Sequence, residues 1–422
     1  MLMKIKISPS RFSSGISSLW RGNDISTINQ FILETINGKV RLSVNNEIVE
    51  DAFSLVFESG RSAIAATLFA CNIGDGDDVI VSSFTCDAVT YAVCETGARV
   101  VYVDINDDLT MNEKCVTIAI TDRTKAIIIQ NTFGRLGMQP PAIKRMKDLG
   151  LLVIEDNCLS VGSSLNSTVF GSWGDVSVFS LEVSKTITIG WGGVLTINNA
   201  VYLSRIVGYY NTLCRVSIMQ DIRRLFQLWF SVLMTRWQPW GGFVVWYFLY
   251  GTQIFRKSST SQKRIKNTLA KLGFSSLALY KFMIPRMGSM ISKTHRNLEE
   301  LEDYATILGL NCPIRRRDGE YLVAPRLSIL VDKYVVEKVL TIAEQLGVEA
   351  GRWFSECPPN YKQSDCVIVS ANKAIEIAEQ IINVPCYWSM SDREMRAIKG
   401  FLLCISKENL VRHVNCTDIV FT

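Results

Sequence analysis

The sequence predicts an α/β protein: a mainly parallel sheet flanked by helices, followed by a smaller α+β C-terminal domain. Three observations predict it. Short apolar, β-branched runs recur between about residues 50 and 200. They show little polar alternation, as expected of strands covered on both faces. Helical stretches lie between several of them, the rhythm of a doubly wound sheet.

Taken in order, Ser62 to Cys71 reads as a helix, with Ile64, Leu68 and Cys71 on one face and Gly74 just past its end. The expected strands are Val79–Ser82, Val100–Val103, Ala126–Gln130, Leu152–Glu155, Val176–Ser180 and Gly193–Ile197, with a helix over Ala142–Leu149 among them. After Asn199 the rhythm breaks, and 201–300 reads as mostly helical. From about 310, Tyr321–Leu330 reads as strand, Lys333–Leu346 as an amphipathic helix and Ser391–Leu403 as a last helix. The expected division is an N-terminal segment 1–50, a large α/β domain 51–205, a helical segment 206–300 and a small α+β domain 301–422.

Composition narrows the function. The chain has 422 residues, 48% of them hydrophobic and 20% charged, which excludes a disordered chain. A net charge of +5 is too weak to argue for nucleic acid as a partner. With only His295 and His413, a His-built metal site or a His-centred triad is not expected. The 12 Cys include no C-x-x-C pair and read as reduced thiols of a cytosolic protein. The opening MLMKIKISPSRF lacks the apolar core of a signal peptide, so a cytoplasmic location is expected. Phosphate-binding P-loop, G-x-S-x-G and H-E-x-x-H signatures are absent.

Three segments carry the chemistry. Glu58-Ser59-Gly60-Arg61-Ser62 stands directly ahead of a helix. Free N–H groups and the positive dipole end of a helix can hold a phosphate, although Ser-Gly there is usually only a cap. Val153-Ile154-Glu155-Asp156-Asn157 ends an apolar strand in acid, at the edge where open α/β sheets bind ligands. A single acid at such a point is more often merely solvated. Phe179-Ser180-Leu181-Glu182-Val183-Ser184-Lys185, followed by Gly190, Gly192 and Gly193, sets a lysine behind a strand. That suits a Schiff-base lysine, whereas the plain alternative is an exposed loop lysine. Glu182 either orients Lys185 or faces water. The order shifts the balance: Asp156 precedes Lys185 by 29 residues (185 − 156), and both follow the helix start. Pyridoxal phosphate needs a lysine for its aldehyde, a carboxylate for its pyridine nitrogen and donors for its phosphate.

With these stretches the sequence resembles the DegT/DnrJ/StrS sugar aminotransferases of the aspartate-aminotransferase-like fold. ESGRSAIAATL, GARVVYVDI, LLVIEDN and FGSWGDVSVFSLEVSKTITIGWGGVLTIN carry the likeness, which is continuous over about 55–200. The resemblance implies pyridoxal phosphate fold type I with a seven-stranded sheet, and cofactor binding in the 51–205 domain. It implies that Lys185 holds the cofactor and moves the proton. Asp156 would partner the ring nitrogen, and Ser180, Ser59, Gly60 and Arg61 would hold the phosphate. It further implies a homodimer and transfer of an amino group, usually from glutamate, to a keto sugar on a nucleotide carrier, in polysaccharide or glycoconjugate synthesis. A dehydratase branch has histidine in place of the lysine, so Lys185 points to amino transfer.

The sequence departs from the family at three points. Cys86 stands where many relatives stack an aromatic ring on the cofactor, so it is the candidate for that wall. Leu159 replaces the usual Gln or His three residues after the aspartate. The asparagine stretch by which a neighbouring subunit reaches the phosphate is not found in 205–275, where the chain diverges. These departures leave a second expectation: a fold retained without turnover, serving as a binding or scaffold subunit. Within 225–256, the 19 residues between Arg236 and Arg256 carry no formal charge (256 − 236 − 1) and are rich in Trp, Tyr and Phe. Burial at an interface is the plain reading. Peripheral contact with a membrane is the alternative, favoured by the flanking cations.

Overall fold

The computed structural model describes residues 53–236, 269–359 and 366–410, together with a two-strand pairing of Ser43–Val44 with Glu47–Ile48. The expected N-terminal segment and the uncharged stretch 237–255 therefore lie largely or wholly outside the described residues.

Strand β1 (Phe53–Phe57) leads into helix α1 (Gly60–Ala70). Ser59 caps that helix: its side chain accepts the Ser62 N–H at 3.1 Å. There follow β2 (Asp78–Ser82), α2 (Asp87–Cys94), β3 (Arg99–Val103), α3 (Glu113–Ala119), β4 (Thr124–Gln130), α4 (Pro140–Asp148), β5 (Leu152–Asp156), β6 (Val176–Ser180) and β7 (Gly193–Ile197). All the expected strands are present, each with its end shifted by two residues at most. Helix α5 (Ala200–Thr212) and the long α6 (Ile218–Arg236) come next, then α7 (Phe274–Met283) and α8 (Met287–Ile307). The C-terminal elements are β8 (Arg326–Leu330), α9 (Val336–Gln345), β9 (Val367–Ile368), α10 (Asn372–Gln380), β10 (Ile381–Pro385) and α11 (Asp392–Leu410).

The large sheet runs β9-β3-β2-β4-β5-β6-β7-β1. Every pairing from β9 to β6 is parallel, and β7 alone runs against its neighbours. The mainly parallel sheet is as expected, with one addition: it has eight strands, because Val367–Ile368 joins the β3 edge. Period-two alternation sends Val79 and Val81 into a core with α1 and α2, and Ile80 into the core beneath α3 and α4. The C-terminal elements pack a second core, built on Leu327, Ile329, Ile381, Phe401 and Leu402 and joined by Phe84, Phe133 and Leu159 from the large sheet's loops.

The expected strand Tyr321–Leu330 is two pieces. Glu320–Tyr321 pairs with Ser164–Leu165, whereas Arg326–Leu330 pairs with Ile381–Pro385. Pro325 stands between them, and without an N–H it cannot continue a ladder.

Asp104, just beyond β3, secures the β9 edge. Its carboxylate accepts from Ser370 Oγ (2.8 Å) and from the N–H groups of Lys373, Ala374 and Ile105 (3.1, 2.9 and 2.9 Å). Burial by itself would raise this carboxyl, but the four donors outweigh it and its pKa lies below the ordinary value. A lowered folded pKa stabilises the fold above the unfolded value of about 3.9, and that contribution is lost as pH falls through the folded value. Asp104→Asn should cost about 2–3 kcal/mol at neutral pH through donors left unpaired. In urea unfolding, the gap from wild type should narrow as pH falls below the unfolded value of about 3.9.

Candidate active site

Strand direction determines which residues meet. β1, β5 and β6 all end at the same edge of the sheet, and Gly193 at the start of β7 lies opposite both Phe57 and Ser180. The residues following Phe57 turn into α1, so Ser59 and Gly60 arrive beside Ser180. The approach is close. A Cβ on Gly60 would stand 3.2 Å from Cys158 Sγ and 3.7 Å from Ser180 Cβ, and one on Gly193 would stand 2.4 Å from Gly60 N. A side chain at 193 would run into backbone, so glycine there lets the helix start reach the strand ends. The first-turn N–H groups of α1 have no partner within their own helix.

Asp156 closes β5, in register with Val178 of β6. It is buried, and its Oδ1 accepts the Cys158 N–H at 3.0 Å. The preceding residue serves the scaffold. Glu155 accepts from Asn131 Nδ2 and from the N–H groups of Gly171, Trp173 and Gly174 at 2.6–3.2 Å. Complete burial nevertheless pushes its carboxyl above the ordinary value.

Lys185 lies in the loop after β6, half-buried, its N–H bonded to Glu182 O at 3.0 Å. Glu182 neither faces water alone nor reaches the lysine tip. It accepts the Ser184 N–H at 3.0 Å and the Ser184 hydroxyl, and its backbone bridges to Gly190, which fixes the loop.

Electrostatics tie the charged pair together. Burial pushes the Cys86 thiol up; Lys185 opposes that rise and Asp156 adds to it. Burial also pushes the Cys158 thiol well up, Asp156 adds, and Lys185 again opposes. The ammonium of Lys185 and the carboxylate of Asp156 thus act on the same two thiols. Cys86 caps the start of α2 and is solvent-exposed.

Not every expected residue contributes its side chain. The Arg61 guanidinium opposes the burial-driven rise of Glu95 and Tyr91, so it lies along α2, and only its backbone N–H belongs to the helix start. Leu159 is buried in the C-terminal core with Phe84, Phe133 and Leu298. Trp353 was not foreseen: its ring centre is 5.2 Å from Lys185 Nζ and 4.5 Å from the Arg326 guanidinium. It follows Lys185 by 168 residues (353 − 185), and no local pattern marks it.

Together the edge offers a lysine, a buried carboxylate, a hydroxyl beside a helix start and the Cys86 thiol. This donor set fits pyridoxal phosphate: the start of α1 and the Ser180 hydroxyl lie together at one edge, as a phosphate would require. Fold and edge together define an α/β protein of the aminotransferase class. The profile of the DegT/DnrJ/EryC1/StrS aminotransferase family matches residues 45–402, and the chain belongs to that family. Pyridoxal phosphate is the family's cofactor.

Two curated relatives are similar over part of the chain. One is a UDP-N-acetyl-3-dehydro-alpha-D-glucosamine 3-aminotransferase from Acidithiobacillus ferrooxidans, 37% identical over 36% of this chain and 42% of the relative. The other is a GDP-perosamine synthase from Caulobacter vibrioides, 35% identical over 40% of this chain and 48% of the relative. The chain thus spans under half the length of each. Among solved structures, a DegT/DnrJ/EryC1/StrS aminotransferase from Brucella abortus has the same fold: TM-score 0.64, 17% identity, 94% of this chain and 95% of that one.

Proposed function

We propose that this chain is a pyridoxal-phosphate-dependent aminotransferase that moves an amino group, from glutamate, to a keto sugar carried on a nucleotide, in the synthesis of polysaccharides or glycoconjugates. The observation that carries the reading is that Lys185 and Asp156 bear on the same two thiols at the edge where Ser180 meets the start of α1. The relatives support the sugar class, since the two described act on UDP- and GDP-linked sugars by their names.

The cofactor, when bound, supplies an electron sink that lets an amine-bearing carbon release its proton. The rest falls to this chain. Lys185 would hold the cofactor's aldehyde, and its Nζ is the group that would accept and return the proton at the reacting carbon. Asp156 would face the ring nitrogen, where a carboxylate would favour the protonated ring. Ser59, Ser180 and the N–H groups of Gly60 and Arg61 grip the phosphate. Cys86 lines the ring wall. The Trp353 ring, 5.2 Å from Nζ, lies over the lysine tip and would help position it. The protein acts as a cytoplasmic homodimer, with peripheral membrane contact through 225–256.

The purified chain given pyridoxal phosphate should turn yellow, and borohydride should fix the cofactor on Lys185. Protein that takes up no cofactor in excess would defeat the reading. A second reading is favoured by Leu159, whose place in the core leaves no hydrogen bond for the cofactor's ring oxygen: a scaffold that binds without turnover. Glutamate separates the two. Conversion of the bound cofactor to its amine form supports the enzyme, and binding without conversion by any amino acid supports the scaffold.

A further inference from the structure

Strand β10 reads Ile381-Ile382-Asn383-Val384-Pro385, and all but its asparagine are apolar. Asn383 is as fully buried as Ile381, Ile382 and Val384 beside it. A buried amide costs free energy unless its polar atoms are paired, so its partners show what it holds. Its backbone is already engaged: the N–H donates to Gly351 O at 2.8 Å, and the carbonyl accepts the Gly351 N–H at 3.0 Å. The side chain reaches two residues further. Its Oδ1 accepts the Trp353 N–H at 2.6 Å, and its Nδ2 donates to Ser328 Oγ at 2.9 Å. A backbone N–H can only donate, so the amide oxygen faces Trp353 and the amide nitrogen is left for Ser328. Ser328 stands opposite Asn383 in the β8–β10 register and is itself buried.

Trp353 in turn lies over the tip of Lys185, with its ring centre 5.2 Å from Nζ and 4.5 Å from the Arg326 guanidinium. The residues on either side have anchors of their own. Arg352 donates to Ala378 O at 2.6 Å, and Phe354 meets the Phe84 ring edge-on at 5.3 Å. The Asn383 amide fixes residue 353 itself. Lysine is among the side chains that lose most rotamer freedom when ordered, and Lys185 is only half-buried in its loop. A ring held above it from the interior narrows the space its tip can occupy. The chain of contacts is continuous: Ser328, Asn383, Trp353, Lys185.

We infer that Asn383 is a positioning residue for the reacting lysine. From inside the C-terminal core it holds Trp353 over Lys185, and through that ring it sets where Nζ stands before the cofactor arrives. The function of Nζ is the one proposed above, and the inference rests on that reading, but its placement can be read without cofactor.

Reductive ¹³C-methylation of the cofactor-free chain puts a probe on each lysine Nζ. Ring currents move a methyl held over an aromatic face upfield. The Lys185 peak, identified by its loss in Lys185→Ala, should therefore stand apart from those of exposed lysines. Trp353→Leu should return it to them. Asn383→Ala should do the same although the indole is kept. Asn383→Asp retains an oxygen for the Trp353 N–H and should restore much of the shift, and Ser328→Ala, a milder change, should reduce it. Cofactor affinity should fall roughly two- to fivefold in Trp353→Leu, the scale of one cation–ring contact. It should fall by a similar factor in Asn383→Ala and no further in the double variant. A wild-type Lys185 peak among the exposed lysines, a shift unchanged in folded Asn383→Ala, or affinity losses that add would overturn the inference. Should Asn383→Ala fail to fold, a peak unmoved in Ser328→Ala would overturn it as well. Protein that takes up no cofactor, yet shows the shifted peak and loses it in Asn383→Ala, would end the transaminase reading and uphold the placement.

Discussion

Lys185→Ala should give a colourless protein that takes up pyridoxal phosphate only reversibly, shows no mass increase after borohydride, and has lost turnover. Loss of positioned proton transfer alone accounts for a fall of roughly 10²–10⁴ in rate, and losing the covalent tether adds to it. The substitution should leave the fold intact. Lys185 is half-buried, and the hydrogen bonds that fix its loop run through the backbone and Glu182. Full-length dichroism equal to wild type would therefore be the companion result. A reducible linkage that survives in the variant would assign the chemistry to another lysine and end the proposed role.

Asp156→Ala should be nearly as damaging, for a different reason. A buried carboxylate paired with a cation contributes through charge, and removing one partner of such a pair costs about 3–5 kcal/mol, or roughly 10²–10⁴ in affinity or rate. The expected signature is weakened cofactor binding together with a shifted absorption band. Asp156→Asn keeps the size and one acceptor for the Cys158 N–H, so it separates charge from packing. If the Asn variant binds and turns over like wild type, the carboxylate is only a strand-end cap.

Much of this edge was legible in the sequence because it is local. β-Branched runs announce strands buried on both faces, and their carboxyl ends, at Asp156 and Ser180, announce the binding edge. Gly60 before a helix gave the third element. What stayed hidden is long-range. The eighth strand is two residues long and joins β3 only because Asp104 gathers the start of α10. Trp353 reaches Lys185 through the packing of the C-terminal elements, which no short spacing encodes. The expected strand through Tyr321 was overextended because apolar residues on either side of Pro325 look continuous until the proline's missing donor is weighed. Leu159 could be seen as a departure but not as a core residue, since only the fold shows which way it turns.

The closure of the β3 edge by Val367–Ile368 has a consequence during synthesis. On the ribosome, β3 emerges 264 residues (367 − 103) before the strand that covers it. At roughly 5–20 residues per second, the nascent chain carries an uncapped edge for about 13–50 s. Bare edges recruit other strands. Chains truncated ahead of Val367 should therefore yield aggregates rather than a smaller soluble product, and a strand in the last seventh guards one in the first quarter.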